Sequence, residues 1–119
     1  MGKKALVADD AIFMRLMFKD MLKEVGFEVV GRAKNGIEVV ELYKKFKPNL
    51  VILDIVMPGV DGLTALKRIL KIDPEANILV CSAMDSESII IEAIKNGAKD
   101  FLIKPVHPDK FKKAINKIF

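Results

Sequence analysis

The chain has 119 residues, of which 51% are hydrophobic, and carries a formal net charge of +4. This length is typical of a single domain, and the composition is sufficient for a buried core without disulfides. The single cysteine, Cys81, excludes an internal disulfide and is typical of a reducing compartment. No apolar run is long enough to cross a membrane, and the start Met1–Lys4 resembles no signal peptide. We therefore expect one cytoplasmic domain, residues 1–119, without membrane contact.

The excess of basic residues, 20 against 16 acidic, raises the question of nucleic-acid binding. Most lysines are spread over the amphipathic segments, and aromatic residues do not alternate with them as a base-stacking surface requires. We interpret the lysines as solvated helix faces and predict no nucleic-acid partner. The clustered lysines lie near the end of the chain: Lys110, Lys112, Lys113 and Lys117.

Five short apolar runs alternate with amphipathic segments. Nearly continuous apolar runs are typical of parallel strands buried on both faces. The predicted strands are Lys4–Ala8, Glu28–Ala33, Leu50–Leu53, Ile78–Cys81 and Phe101–Ile103.

The segments between these runs have helical periodicity. In the first, apolar residues recur at three- and four-residue spacing, charged residues occupy the opposite face, and Gly26 ends the helix. The second begins with the capping arrangement Asn35–Glu38 and ends before Pro48. This alternation predicts an α/β fold: one doubly wound domain with a five-stranded parallel sheet. The other helices are predicted over about Gly62–Ile72, about Ser86–Asn96 and from Pro108 to the end.

Charged side chains follow three of the predicted strands. Asp9 and Asp10 follow the first strand, Asp54 the third and Lys104 the fifth. The carboxyl ends of parallel strands lie at one edge of a sheet, where open α/β folds bind ligands. We therefore expect the four charges to meet, although Asp9 or Asp10 could instead cap the first helix. Neighbouring carboxylates repel one another without a cation, and oxygen ligands favour Mg²⁺.

The loop Asp54–Gly62 is rich in turn residues and begins with a carboxylate. A carboxylate can act as a nucleophile and form an acyl phosphate. That reaction requires neutralisation of the phosphoryl oxygens, which Lys104 and a cation held by Asp10 and Asp54 would supply. Ser82 would add a hydroxyl at the same edge. The residues thus predict a site for a divalent cation and a phosphoryl group.

We expect no role in the site for two other reactive side chains. Cys81 lies within an apolar run, so we expect a buried, inert thiol. His107 stands between Val106 and Pro108 in a connection, so we expect a surface position and no zinc site.

The combination of motifs resembles the receiver domain of two-component response regulators, over the whole chain. Without an attached output domain, the chain is similar to stand-alone, CheY-type chemotaxis regulators. The resemblance implies a flavodoxin-like (βα)5 fold and a phosphorylation-dependent switch that is not an enzyme. The motifs that carry it are Asp9-Asp10, Asp54 with Met57-Pro58 and Gly62, Ser82-Ala83, and Lys104-Pro105.

The resemblance implies roles for the acidic residues. Asp54 would accept the phosphoryl group from a histidine kinase of the CheA type. Mg²⁺ would bind Asp10, Asp54 and the backbone carbonyl of Val56 directly, while Asp9 would act mainly through water.

The resemblance also implies how the switch operates. Lys104 would contact the phosphoryl group, and its bond to Pro105 would be cis. Ser82 would turn inward to the phosphoryl oxygen and Phe101 would follow as the aromatic switch, although Phe101 could also be an ordinary core residue. The output face would comprise the fourth helix, fifth strand and fifth helix, and would contact a flagellar or archaellar motor switch or an adaptor. We expect a monomer.

The start of the fourth helix departs from the family pattern. Well-known bacterial regulators have adjacent lysines there, whereas this chain has the acidic segment Asp85–Ser88. Like charges oppose docking on an acidic motor target, so the segment resembles the archaeal type, which uses an adaptor. Alternatively, Asp85 and Glu87 only complement the positive end of the helix dipole.

Two further features concern partners. Val56 and Met84 occupy positions where family members often place polar groups that orient the hydrolytic water. We therefore predict slow self-dephosphorylation and a need for a phosphatase or a reverse phosphorelay. Phe13 and Leu16 fall outside the core stripe of the first helix, and the resemblance implies contact with the phosphodonor.

Two other functions share parts of this pattern. A small Mg²⁺-dependent hydrolase with an aspartyl-phosphate intermediate generally requires an acidic residue two positions after the nucleophile, where this chain has Val56. Such enzymes also carry a cap domain, for which 119 residues leave no room. A phosphorelay intermediate would use the same site residues as the switch.

Overall fold

The computed structural model describes residues 3–84 and 86–119. Five strands and five helices alternate within them, as predicted, and their ends lie within about two residues of the predicted ones. The elements are β1 Lys3–Ala8, α1 Ile12–Glu24, β2 Phe27–Ala33, α2 Gly36–Phe46, β3 Leu50–Leu53, α3 Gly62–Ile72, β4 Ile78–Ser82, α4 Glu87–Lys95, β5 Asp100–Ile103 and α5 Pro108–Ile118.

The strands form one parallel sheet in the order β2-β1-β3-β4-β5. This order confirms the predicted doubly wound, flavodoxin-like fold. The chain leaves β1 toward β2 on one side and reaches β3 on the other, so the connections diverge between β1 and β3. Ligands in this fold bind beside such a point, at the carboxyl ends of the strands.

Helices cover both faces of the sheet. Leu6 of β1 belongs to a core cluster that includes residues of α2, α3 and α4, whereas Val7 belongs to a cluster with α1 and α5. The rings of Phe18 and Phe111 join α1 to α5, with centroids 6.0 Å apart. Successive side chains of a strand point to opposite faces, which explains why the central strands are apolar throughout.

The helix ends follow the sequence signals closely. The Asn35 side chain accepts a hydrogen bond from the backbone N–H of Glu38 at 2.9 Å, and Glu38 accepts one from the N–H of Lys34 at 2.8 Å. This confirms the predicted capping arrangement of α2. Gly26 and Gly97 follow α1 and α4 with positive φ angles of 89° and 110°. Among the described helices, none is long and apolar enough to span a membrane.

Candidate functional site

The carboxyl edge of the sheet brings the three predicted aspartates together. Asp9 and Asp10 follow β1, Asp54 follows β3, and carboxylate oxygens of the three lie within 4.8 Å of one another. Asp9 is 1% exposed and Asp54 is 6% exposed, whereas Asp10 is exposed. The predicted convergence of these residues is therefore present in the structure.

Lys104 follows β5 and closes the cluster. Its Nζ donates hydrogen bonds to Asp9 Oδ2 at 2.6 Å and to Asp54 Oδ2 at 3.1 Å, and its side chain is only 16% exposed. Burial by itself lowers the pKa of Lys104, but the hydrogen bonds and negative charges of Asp9 and Asp54 outweigh it. The net pKa shift is upward, so the ammonium form is retained.

Both carboxylate oxygens and the backbone carbonyl oxygen of Asp9 accept hydrogen bonds. Its Oδ1 accepts the backbone N–H of Ala11 at 3.0 Å, while its carbonyl oxygen accepts a bond from Arg15 Nη1 at 2.7 Å. The N-cap of α1 is Ala11, without a side-chain cap, so neither Asp9 nor Asp10 occupies the N-cap position. Both oxygens of Asp9 are thus engaged within the protein. The Arg15 contact is made to a backbone carbonyl, and residue types alone do not reveal it.

Asp54 sits at a tightly packed junction between β3 and α3. Its Oδ1 accepts the backbone N–H of Val56 at 3.2 Å. A Cβ added at Gly62 would lie 2.0 Å from the carbonyl oxygen of Asp54, and the N–H of Gly62 donates to the carbonyl of Ile55 at 2.8 Å. Only glycine allows the start of α3 to approach the backbone of Asp54 this closely.

The remaining predicted residues lie on β4, on β5 and directly after β5. Ser82 at the end of β4 is fully buried, and its Oγ accepts the N–H of Met84 at 3.3 Å. Phe101 is partly buried against the core cluster of α2, α3 and α4. The peptide bond between Lys104 and Pro105 is cis, as the resemblance implies.

Four predicted apolar residues, after β3, after β4 and on α1, have exposed side chains, and we call them the apolar rim. The side chains of Val56 and Met84 are 53% and 38% exposed, and Phe13 and Leu16 of α1 are 70% and 47% exposed, as expected for residues outside the core stripe. Cys81 is buried, and burial raises the pKa of its thiol far above the ordinary value, which agrees with the inert role predicted for it.

The charges of the cluster suit a divalent cation. Three carboxylates and one ammonium leave two negative charges in a mostly buried volume. Mg²⁺ is a hard ion that prefers carboxylate and carbonyl oxygens together with water, and Asp10 is exposed on the solvent side. The donor set therefore fits Mg²⁺.

Known proteins share both the sequence and the fold. Residues 5–116 match the family model described as the response regulator receiver domain. The chain is 53% identical to chemotaxis protein CheY of Thermotoga maritima, over 99% of this chain and 98% of that protein. It is also 53% identical to chemotaxis protein CheY of Bacillus subtilis, over 98% of each.

A solved structure extends the likeness. In the CheX-CheY-BeF3-Mg²⁺ complex from Borrelia burgdorferi, the matching chain is 30% identical with a TM-score of 0.95, over 98% of this chain and 89% of that one. The family match spans nearly all of the sheet and helices described above. The chain therefore belongs to the response regulator receiver domain family.

Proposed function

We propose that this receiver domain, residues 1–119, is a CheY-type switch of a chemotaxis pathway, in which Asp54 accepts a phosphoryl group from a CheA-type histidine kinase. The observation that carries the proposal is the Asp54 carboxylate, which lies beside two further carboxylates and within 3.1 Å of the Lys104 ammonium. The likeness to chemotaxis proteins over almost the whole chain supports the pathway.

The proposed cation is Mg²⁺, because receiver domains bind this ion in an acidic pocket and the cluster here has the required donors. Asp10, Asp54 and the backbone carbonyl of Val56 would bind it directly. Both oxygens of Asp9 already accept hydrogen bonds, which supports an indirect role for Asp9 through water. When bound, the ion would supply positive charge that offsets the charge of the phosphoryl oxygens.

The transfer step follows from the position of Asp54. A carboxylate oxygen of Asp54 attacks the phosphorus of a phosphohistidine, a P–O bond forms, the P–N bond breaks, and the imidazole leaves with the electron pair. Asp54 is oriented by the N–H of Val56 and by Lys104. Lys104 then pairs with a phosphoryl oxygen.

The proposed response runs from the phosphoryl group to the output face. Ser82 would exchange the N–H of Met84 for a bond from its own hydroxyl to a phosphoryl oxygen, and Phe101 would move into the space this opens. Phosphorylation of Asp54 would thereby shift the equilibrium between two conformations of the surface formed by α4, β5 and α5. Exposed Ile91, Ile94 and Ile103 on these elements support apolar contact with a partner.

The partner at this face would be a flagellar or archaellar motor switch or an adaptor that links the domain to the motor. Glu87 begins α4, which supports a start of α4 that is less basic than that of well-known bacterial regulators. Asp85, which contributed to the adaptor hypothesis, lies outside the described residues.

We infer that the domain is a signalling protein that assists only its own phosphorylation and dephosphorylation. The residue two positions after Asp54 is the exposed Val56, which cannot act as the general acid of a hydrolase. The exposed apolar side chains of Val56 and Met84 also support slow loss of the phosphoryl group and dependence on a phosphatase. A phosphorelay intermediate would differ by returning the group to a histidine. We expect the switch to act as a cytoplasmic monomer.

Incubation with Mg²⁺ and acetyl phosphate, followed by intact mass spectrometry, tests the proposal. We expect the wild type and the Asp20→Ala control on the exposed surface of α1 to gain the mass of one phosphoryl group. Asp54→Ala should gain none, and Asp10→Asn should react far more slowly. A wild type that stays unmodified, or an Asp54→Ala variant that is still modified, would contradict it.

A further inference from the structure

We propose that the groove between α1 and the edge strand β2 is a docking site for an acidic segment of a partner protein. The α1–β2 groove consists of two adjoining cavities that share Arg32. Arg15 and Lys34 line the first cavity, and Lys19 and Lys23 line the second. This site goes beyond the proposed function, because it uses neither Asp54 nor the face of α4, β5 and α5. It shares Leu16 with the surface for which the resemblance implies contact with the phosphodonor.

The groove is large enough for a peptide segment. Its cavities have volumes of about 390 and 400 Å³, each within the range of ligand-binding clefts. One end adjoins the metal site, where Arg15 is anchored to the carbonyl of Asp9 at 2.7 Å. The other end reaches Phe27 at the start of β2. The surface therefore follows the edge strand over much of its length.

The lining of this groove is positively charged. It contains five basic residues and two acidic ones, Glu28 and Glu38, which leaves a charge of +3. The basic residues of the groove are far apart in the sequence. Helix α1 supplies three of them, Arg32 belongs to β2, and Lys34 follows β2.

The groove cations are available to a partner. Within residues 3–84 and 86–119, the ion pairs involve Lys44, Lys67 and Lys104, and none involves a basic residue of the groove. Glu38 is engaged by the backbone N–H of Lys34 at 2.8 Å. Carboxylates of a partner would therefore meet cations that have no competing acidic contact.

Protection of the sheet edge does not account for this arrangement. Basic side chains and bulges on an edge strand prevent pairing with other chains, and β2 has both Arg32 and an irregular register opposite Ala5 and Leu6. Lys19 and Lys23, however, belong to α1 and do not occupy the strand edge. An acidic occupant would give these lysines, which lie across the groove from Arg32, a shared binding role.

The apolar walls favour a protein over a nucleic acid. Ile12 and Leu16 line the groove and are 66% and 47% exposed, and Val29 is partly exposed between them and Phe27. Phe27 is the one aromatic residue in the lining and is only 5% exposed, so it cannot stack on a base. A segment that alternates carboxylates with apolar side chains would match both the cations and the walls.

Binding of a fluorescent synthetic peptide of alternating glutamate and leucine tests the proposal. The variant K19Q/K23Q/R32Q removes three groove charges, and the control K71Q/K99Q/K113Q removes three exposed charges elsewhere. By fluorescence anisotropy we expect the groove variant to lose about tenfold in affinity and the control about twofold. Amide NMR shifts on adding the peptide should map to α1 and β2.

Equal weakening by the two triple variants would overturn the proposal, since it would show that only net charge matters. Shifts confined to α4, β5 and α5 would do the same. A single-stranded DNA oligonucleotide that binds the groove more tightly than the peptide would also overturn it, in favour of a nucleic acid. Circular dichroism checks folding. The single variant Lys23→Gln, expected to lose about twofold, and its control Lys71→Gln, expected to lose almost nothing, provide the same comparison with less perturbation.

Discussion

The acidic edge and two elements of the proposed output face, α4 and β5, are packed in opposite ways. At the edge, all four residues of β3 are buried, and Lys104 contacts both Asp9 and Asp54. On the proposed output face, α4 buries only Ala93 and β5 has no fully buried residue, whereas α5 buries Phe111, Ala114 and Ile115. Regions with few buried contacts open at low free-energy cost, whereas tightly packed ones do not. The comparison distinguishes a tightly packed centre from the loosely packed α4 and β5, which is the arrangement that the proposed switch requires.

Removal of the Lys104 ammonium should have the largest effect on the packing of the acidic edge. Lys104→Met leaves Asp9 and Asp54 buried beside each other without a counter-charge, which should lower the free energy of unfolding by about 3 kcal/mol in metal-free buffer. Urea denaturation measures the change. Mg²⁺ should restore part of the loss. The control Lys71→Met alters an exposed side chain and should have little effect.

An equal response of the two lysine variants would contradict the view that charge pairing holds the centre together. A further check uses Asp10→Asn, which removes one of the mutually repelling carboxylates. We expect this variant to be at least as stable as the wild type without metal, and to lose the stabilisation that Mg²⁺ confers by binding only the folded state.

Adding one methyl group at the junction of β3 and α3 should be nearly as damaging. Gly62→Ala places a Cβ 2.0 Å from the Asp54 carbonyl oxygen, so the backbone must shift, and we expect a cost of about 2 kcal/mol in stability. Phosphorylation by acetyl phosphate should slow as Asp54 moves. Thr64→Ala in the same helical turn is the matched control. Unchanged phosphorylation in Gly62→Ala would show that the junction does not position Asp54.

Substitution on the rim tests the lifetime of the phosphoryl group without disturbing the centre. Val56→Asn places an amide where it can orient a water molecule, so hydrolysis of the aspartyl phosphate should accelerate by about tenfold. Phosphate release after removal of the phosphodonor measures the rate. Val56→Leu retains an apolar side chain and should leave it unchanged. An unaltered lifetime in Val56→Asn would count against slow hydrolysis caused by the apolar rim.

The sequence predicts the acidic edge well, because each part of it depends on local signals. Asp9, Asp54 and Lys104 each directly follow an apolar strand, and parallel strands bring their carboxyl ends together. The fold could also be predicted, because the alternation of apolar runs and amphipathic segments is a local signal. The hydrogen bond from Arg15 to the Asp9 carbonyl and the N-cap at Ala11 could not be predicted, because both depend on the path of the backbone after β1.

The charged groove and the output partner were beyond sequence reasoning for a related reason. Lys19 and Arg32 belong to different elements, and only the packing of α1 on the sheet beside β2 brings them to one surface. Local periodicity assigns Lys19 to a solvated face and leaves Arg32 without an interpretation. The exposed apolar residues of α4 likewise indicate a contact surface but do not identify what binds it.

The smallest expected effect is that of Ile91→Ala, which we compare with an equal apolar truncation at the centre. Leu53→Ala at the buried end of β3 should cost about 3 kcal/mol in unfolding free energy, while Ile91→Ala, on a side chain that is 50% exposed, should cost about 0.5 kcal/mol or less. Urea denaturation measures both. Because Ile91 lies on the proposed output face, its loss should weaken binding of the phosphorylated protein to its partner while phosphorylation of Asp54 is unchanged. A large stability loss in Ile91→Ala would mean that α4 is packed as firmly as the centre, and the division into a rigid site and a responsive face would then fail.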